Sequence, residues 1–250
     1  MKLAKSILKK FTPVFQNRSF FLQGQMDIHP NSRWVNRDLQ QATGGFYPLN
    51  DDRPREIINL EAWDNTRRDM IVLLLRTLED KAIVGEFAEV GVYKGVTAKL
   101  LHHYCRDRPL HLFDTFAGFT ERSVIAEAAN TEFVTKAKKF SDTSLEGVRD
   151  YIVPINENVH FHPGYFPDSL PEALKNKIYS FVHLDADLYE PILEGLIFFY
   201  PRMPKHGMIL VHDYNAWIGA RKAVDDFFSD KPELVIPMPD KSGSALIVKI

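Results

Sequence analysis

The chain holds 250 residues, 45% of them hydrophobic and 26% charged, enough for one sizeable globular α/β domain that needs no staples. Its formal charge of -2 excludes the broad basic field of a nucleic-acid binder, and the single cysteine, Cys105, excludes an internal disulfide framework. A reducing cytoplasm is the expected compartment.

The opening MKLAKSILKKF is basic and mildly amphipathic, with an apolar part too short for a signal peptide or a membrane span. It reads as a solvated helical arm or as a membrane-surface contact. About residues 17–54 carry Trp34, Gly44, Gly45 and several Pro and Asn without sustained periodicity, so residues 1–55 are expected to form an arm or cover segment. The domain proper is expected over residues 56–250. At its start Leu60, Trp63, Met70, Leu74, Leu75 and Leu78 recur at helical spacing, with Arg67, Arg68, Asp69 and Glu79 on the other face. This predicts a helix packed on a sheet.

Short apolar runs then punctuate the chain: FAEVGV from Phe87, LHLFD from Leu110, VHFHPG from Val159, YSFVHLDAD from Tyr179 and MILVHDY from Met208. Each reads as a strand. Helical stretches lie between them, clearest in VTAKLLHHYC, PILEGLIFFY and ARKAVDDFF, so the pattern predicts right-handed crossovers and a doubly wound, mostly parallel sheet. The tail changes to LVIPMP and SALIVKI around the turn-forming DKSG, which predicts a closing antiparallel hairpin. A parallel sheet finished in this way is the methyltransferase variant of the Rossmann-like fold. The polar connection over residues 115–143 exceeds an ordinary linker and contains a helical stretch from Glu121, read either as a mobile lid or as an ordered surface helix.

EVGVYKG follows the first strand and opens a helix, so Gly91, Tyr93 and Gly95 form a turn that lets a ligand approach backbone amides. The glycine spacing is GxxxG rather than GxGxxG, which tips the reading away from a dinucleotide. A βα turn also needs glycine for steric reasons alone. Asp114, at the end of the second strand, has the interval after these glycines of a carboxylate that accepts both ribose hydroxyls. After the third strand Gly164, with Tyr165 or Phe166, is placed to supply backbone approach and a ring face for a base, though aromatic residues there equally suit a core.

FVHLDADLYEP puts Asp185 and Asp187 two apart at a strand end, and two like charges so close call for a cation, a hydrogen-bond network or a shared proton. Asp213 ends the next strand, and adjacent strands lie about 4.8 Å apart, so the three acids can converge. Several hard oxygen ligands favour Mg²⁺ or a similar cation over zinc. His212 adjoins Asp213 and is either a metal ligand suited to Mn²⁺ or Fe²⁺ or a supporting group. His183 reads as a hydrogen-bonded core residue, and the pairs His102, His103 and His160, His162 as structural.

With these motifs in hand the chain resembles the macrocin O-methyltransferase family of S-adenosylmethionine-dependent sugar O-methyltransferases. The resemblance runs from about residue 63 to residue 228 and is densest at AEVGVYKG, LFDTFAGF, FSDTS, GYFPDSLP, FVHLDADLYEP, FFYPRMPKHGMILVHDYN and AVDDF. It implies bound S-adenosylmethionine, a divalent metal usually taken as Mg²⁺, a homo-oligomer, and a glycoside or saccharide acceptor. By position it makes Glu89, Gly91, Gly95 and Asp114 cofactor-binding, Asp185 and Asp213 metal ligands, and Asp187 the general base. Members often carry two acids where this chain has His212 and Asp213. A catechol-type O-methyltransferase and a non-catalytic nucleoside-binding or assembly protein of the same fold are the alternatives.

Overall fold

A computed structural model describes residues 54–60, 64–155 and 157–250. The expected arm over residues 1–55 lies almost wholly outside the described residues. The chain divides into two units, Met1–Asp69 and Met70–Ile250.

In the first unit a short helix α1, Arg55–Ile58, precedes the start of α2, Asn65–Asp80. The sequence pattern expected α2 to begin near Leu60 and to turn Arg67, Arg68 and Asp69 to solvent. Instead all three are buried. Arg68 Nε pairs with Asp69 Oδ1 at 2.6 Å, and its guanidinium donates to the Ile58 and Leu60 carbonyls. A buried charge is tolerated when it is paired and hydrogen-bonded in this way. Farther along α2, Met70, Ile71, Leu75 and Leu78 are buried as their spacing requires.

The second unit is built on a seven-stranded sheet: β1 Glu86–Val90, β2 Leu110–Asp114, β3 Val159–Pro163, β4 Tyr179–Leu184, β5 Met208–Val211, β6 Ile236–Pro237 and β7 Ala245–Val248. Their order is β3-β2-β1-β4-β5-β7-β6, with β1 to β5 parallel and β7 antiparallel to both β5 and β6. Every expected strand is present, and so is the closing hairpin. Chain order reverses between β1 and β4, which opens a crevice at their carboxyl ends.

Helices cover the sheet: α3 Val96–Tyr104, α4 Glu121–Thr131, α5 Leu145–Ile152, α6 Tyr189–Phe199 and α7 Ile218–Phe228. The central strand β4 is buried along its whole length. Ile192, Leu196 and Phe199 of α6 are fully buried in the same core as Val182, Leu184 and Val211. Each such side chain contributes about 1.5–3 kcal/mol relative to exposure, which holds α6 against the strands that end in the acids.

The connection over residues 115–143 contributes one ordered helix rather than a continuous one. A capping box between Thr120 and Ser123 starts α4. Glu127 then anchors it: this fully buried carboxylate accepts the Tyr189 N–H at 2.7 Å and so caps the N-terminus of α6. Gly219 of α7 is required at this contact, because a Cβ there would collide with both Glu127 oxygens.

Candidate active site

Backbone bonds bring the strand ends level. The Gly91 N–H donates to the Phe113 carbonyl at 2.9 Å, Asp185 to Val90 at 2.8 Å, and His212 to Leu184 at 2.8 Å. Gly91, Asp185 and His212 therefore stand in a row along the carboxyl edge of β1, β4 and β5. A side chain on Gly91, at φ 89°, would strike the Asp185 carbonyl. This glycine is first a condition for two strand ends to meet.

Asp185, His212 and Asp213 each offer an atom, and these atoms lie within 4.8 Å of one another. His212 Nδ1 is 3.0 Å from Asp185 Oδ1 and 2.9 Å from Asp213 Oδ2. Asp187 and Asp213 both adopt left-handed backbone, with φ 60° and 59°, which costs an L-residue about 1–2 kcal/mol. Burial and the charges of Asp185 and Asp213 push the Asp187 carboxyl well above the usual carboxylate range, with only His212 working against them. Three acids this crowded, with one imidazole among them, have the donor chemistry of a site for a divalent cation.

The residues around the glycine turn meet differently. Asp114 Oδ2 accepts the N–H groups of Val92 and Tyr93 at 2.7 and 2.8 Å, and Oδ1 accepts the Phe116 N–H at 2.7 Å. The Thr115 hydroxyl gives its proton to the Gly118 carbonyl at 2.8 Å, so its 3.5 Å approach to Oδ1 is no competing bond. Asp114 thus keeps one acceptor position on Oδ1. Its first task is to shape the glycine turn. Gly95 caps α3 in left-handed backbone, and a Cβ there would meet Val148 Cγ1 at 2.8 Å.

Glu89 lies beside His183 in the β1–β4 register, and its Oε1 sits 2.9 Å from His183 Nδ1, both side chains fully buried. The core reading of His183 is met. The expectation of an open ring face at Phe166 is not, since Phe166 is buried among Phe113, Phe198 and Phe199. Tyr165 is half-buried with the Arg122 guanidinium 4.3 Å above its ring, and Arg122 pairs with both Asp168 and Glu190 at 2.8 Å. Gly164, at φ 134°, donates its N–H to the Asp114 carbonyl. On the outer strands His111, His160 and His162 stack together, and His111 Nε2 contacts Glu86 at 2.8 Å, as structural residues would.

Sequence reasoning missed an aromatic wall. Tyr93 of the glycine turn packs edge-on to Phe140, Phe140 to Phe119, Phe119 to Trp217, and Trp217 to Phe133, with ring centres 5.3–6.0 Å apart. The Lys139 ammonium lies 4.1 Å from the Trp217 ring. Trp217 donates its N–H to the Asp213 carbonyl, so the wall spans from the glycine turn to the acids. Its members come from separate segments with no shared periodicity, and the one available signal was their density of aromatic residues.

The sequence profile described as Macrocin-O-methyltransferase (TylF) matches residues 10–240. The chain belongs to this family. Among characterised relatives of the family, demethyldecarbamoylnovobiocin O-methyltransferase of Streptomyces niveus is 26% identical over 155 residues, covering 58% of each chain. A tetracenomycin-C rhamnosyl 4'-O-methyltransferase of Streptomyces olivaceus is 28% identical over 170 residues, covering 64% of each. The match spans less than two thirds of either relative. Among solved structures, the O-methyltransferase NovP superposes with a TM-score of 0.65 at 22% identity, covering 88% of this chain and 91% of that one. The calicheamicin methyltransferase CalS11 does so with a TM-score of 0.57 at 18% identity, covering 80% and 87%. These likenesses confirm the Rossmann-like methyltransferase fold with its antiparallel end. Among the described residues no helix is long and apolar enough to cross a membrane.

Proposed function

We propose that this protein moves a methyl group from S-adenosylmethionine to a hydroxyl of a sugar or glycosylated small molecule, with the help of a divalent cation. The observation that carries the proposal is the convergence of Asp185, Asp187, His212 and Asp213 beside the crevice where chain order reverses. Family membership and relatives that act on glycosylated natural products support the acceptor class.

When bound, the sulfonium supplies an already activated methyl group, and the cation lowers the pKa of the acceptor hydroxyl. The chain does the rest. Asp185 and Asp213, with His212, would hold the cation, and Asp187 would take the acceptor proton on a carboxylate oxygen. Asp114 Oδ1 offers its open position to one ribose hydroxyl. The Gly91–Gly95 turn and Gly164 lend close backbone approach, with Glu89, Tyr93 and Tyr165 bordering them. The half-buried Trp217 and Phe119 would form an apolar wall beside which a sugar is held with water excluded. Cys105 is buried, its thiol pushed up to about 12 by burial, and takes no part.

The test is incubation with labelled S-adenosylmethionine and a panel of glycosides and catechols, with and without chelator. Chelator-sensitive transfer to glycosides is expected. Label on catechols alone would overturn the acceptor class, chelator-resistant transfer the metal, and no product the enzymatic reading. The reading extends to a cytoplasmic homo-oligomer, and a monomer mass by light scattering would remove that part.

A further inference from the structure

We propose that Glu127 is the positioning residue of Asp187: by capping α6 from α4 it ties the base to the segment that carries the aromatic wall, so that wall and base form one unit. This rests on the role of Asp187 in the proposed function and concerns a buried carboxylate which that role leaves unexplained.

Asp187 stands on a short stretch between two fixed points. Upstream the Asp185 N–H donates to the Val90 carbonyl at 2.8 Å, and downstream α6 begins at Tyr189. Asp187 itself holds left-handed backbone at φ 60°, a conformation that persists only where its surroundings impose it. The downstream point has no support of its own. Leu188, at the N-cap, offers no side-chain acceptor, and Pro191 in the first turn has no N–H. The Tyr189 N–H goes instead to Glu127 Oε2 at 2.7 Å, 62 residues earlier in the chain.

Glu127 is held as firmly as it holds. It is fully buried, and its Oε1 accepts the Thr131 hydroxyl at 3.1 Å. A Cβ on Gly219 would come within 2.3 and 2.4 Å of its two oxygens and 2.6 Å of the Tyr189 nitrogen, so the carboxylate fills the junction of α4, α6 and α7. The 2.8 Å pairing of Arg122 with Glu190 is a second contact between α4 and α6, but it is half-exposed at Arg122 and contributes little. Phe119 just before α4 and Phe133 just after it both pack on Trp217, which precedes α7. Seating Glu127 thus assembles the wall and sets Asp187 in one event. A Ser or Asp at position 188 would cap α6 locally and leave the two uncoupled.

The experiment measures turnover with S-adenosylmethionine and the panel glycoside methylated best, cofactor affinity by calorimetry, and thermal melts. Glu127→Leu, Glu127→Gln and Gly219→Ala are compared, each alone and combined with Asp187→Asn. Leucine fills the space but accepts nothing, whereas glutamine keeps a carbonyl oxygen for Tyr189. Glu127→Leu should lower kcat about tenfold or more with cofactor affinity unmoved, and Glu127→Gln should return kcat to within about threefold of wild type. Gly219→Ala pushes on the carboxylate from the other side, so it should copy Glu127→Leu and serves where that variant fails to fold. With Asp187→Asn already present neither should lower turnover further, whereas a merely structural part would give the same loss in both backgrounds. Melts answer without activity: Asp187→Asn should raise the melting temperature of the metal-free protein, and by about half as much or less once Glu127→Leu lets position 187 relax. Equal losses in both backgrounds, a glutamine variant no better than leucine, or an equal rise in both melts would each overturn the proposal. A wild type that transfers no methyl group to any acceptor sinks the proposed function instead, and the melts then decide whether Glu127 positions Asp187.

Discussion

At the end of β2 the Asp114 carboxylate meets three backbone N–H groups, whereas at the ends of β4 and β5 the carboxylates of Asp185, Asp187 and Asp213 meet one another and a single imidazole. The first half of the site satisfies its charge from its own backbone and is shaped before any ligand arrives. The second is held together against electrostatic repulsion by the fold around it, and a cation would complete it. One half is built for shape and the other for chemistry.

The comparison breaks most visibly at Asp187. Asp187→Asn should cut turnover by about a hundredfold or more while calorimetry shows cofactor binding unchanged, and retained turnover would return Asp187 to a structural role. Gly91→Ala joins the two halves by force, placing a methyl group against the Asp185 carbonyl at φ 89°. A loss of about 3 kcal/mol in urea unfolding is expected, and a neutral result would mean the strand ends are free to part. A sharper contrast comes from two amides. Asp114→Asn should destabilise the metal-free protein by about 2 kcal/mol because backbone donors lose their acceptor, whereas Asp187→Asn should stabilise it by about 1 kcal/mol by relieving repulsion. Equal signs in thermal melts would dissolve the distinction.

Trp217→Ala should raise the acceptor KM up to about tenfold and leave the cofactor KM unmoved. Subtlest is the pH response. The folded pKa of Asp187 lies above its unfolded value, so its contribution favours folding below the unfolded pKa and is lost as pH rises through the folded one. Metal-free protein should therefore gain stability on mild acidification, and saturating Mn²⁺ or Mg²⁺ should flatten that gain. An unchanged slope with metal would place the cation elsewhere.

How much of this was legible follows from what each residue signals locally. The strands and crossovers announced themselves because short apolar runs end in Asp114, Asp185 and Asp213, and a polar residue after such a run marks a strand's carboxyl end. The acids of the site were legible for the same reason. Arg68 and Asp69 were misread because helical spacing assigns charges to solvent, and a buried ion pair needs tertiary partners that no window contains. Glu127 was invisible as an ordinary acid in a polar helix. Its significance lies in what the fold sets against it, the N-terminus of α6. Phe166 had the right neighbourhood, but its ring packs into the core against Phe113.

The Glu127 anchor carries a practical consequence for entry to the site. Under the proposed function, with α4 riveted to the start of α6, the rim left to admit an acceptor is residues 132–143, where Phe133, Lys139 and Phe140 stand. Anyone seeking to widen the range of hydroxyls accepted in the proposed reaction should vary that rim and leave the rivet alone.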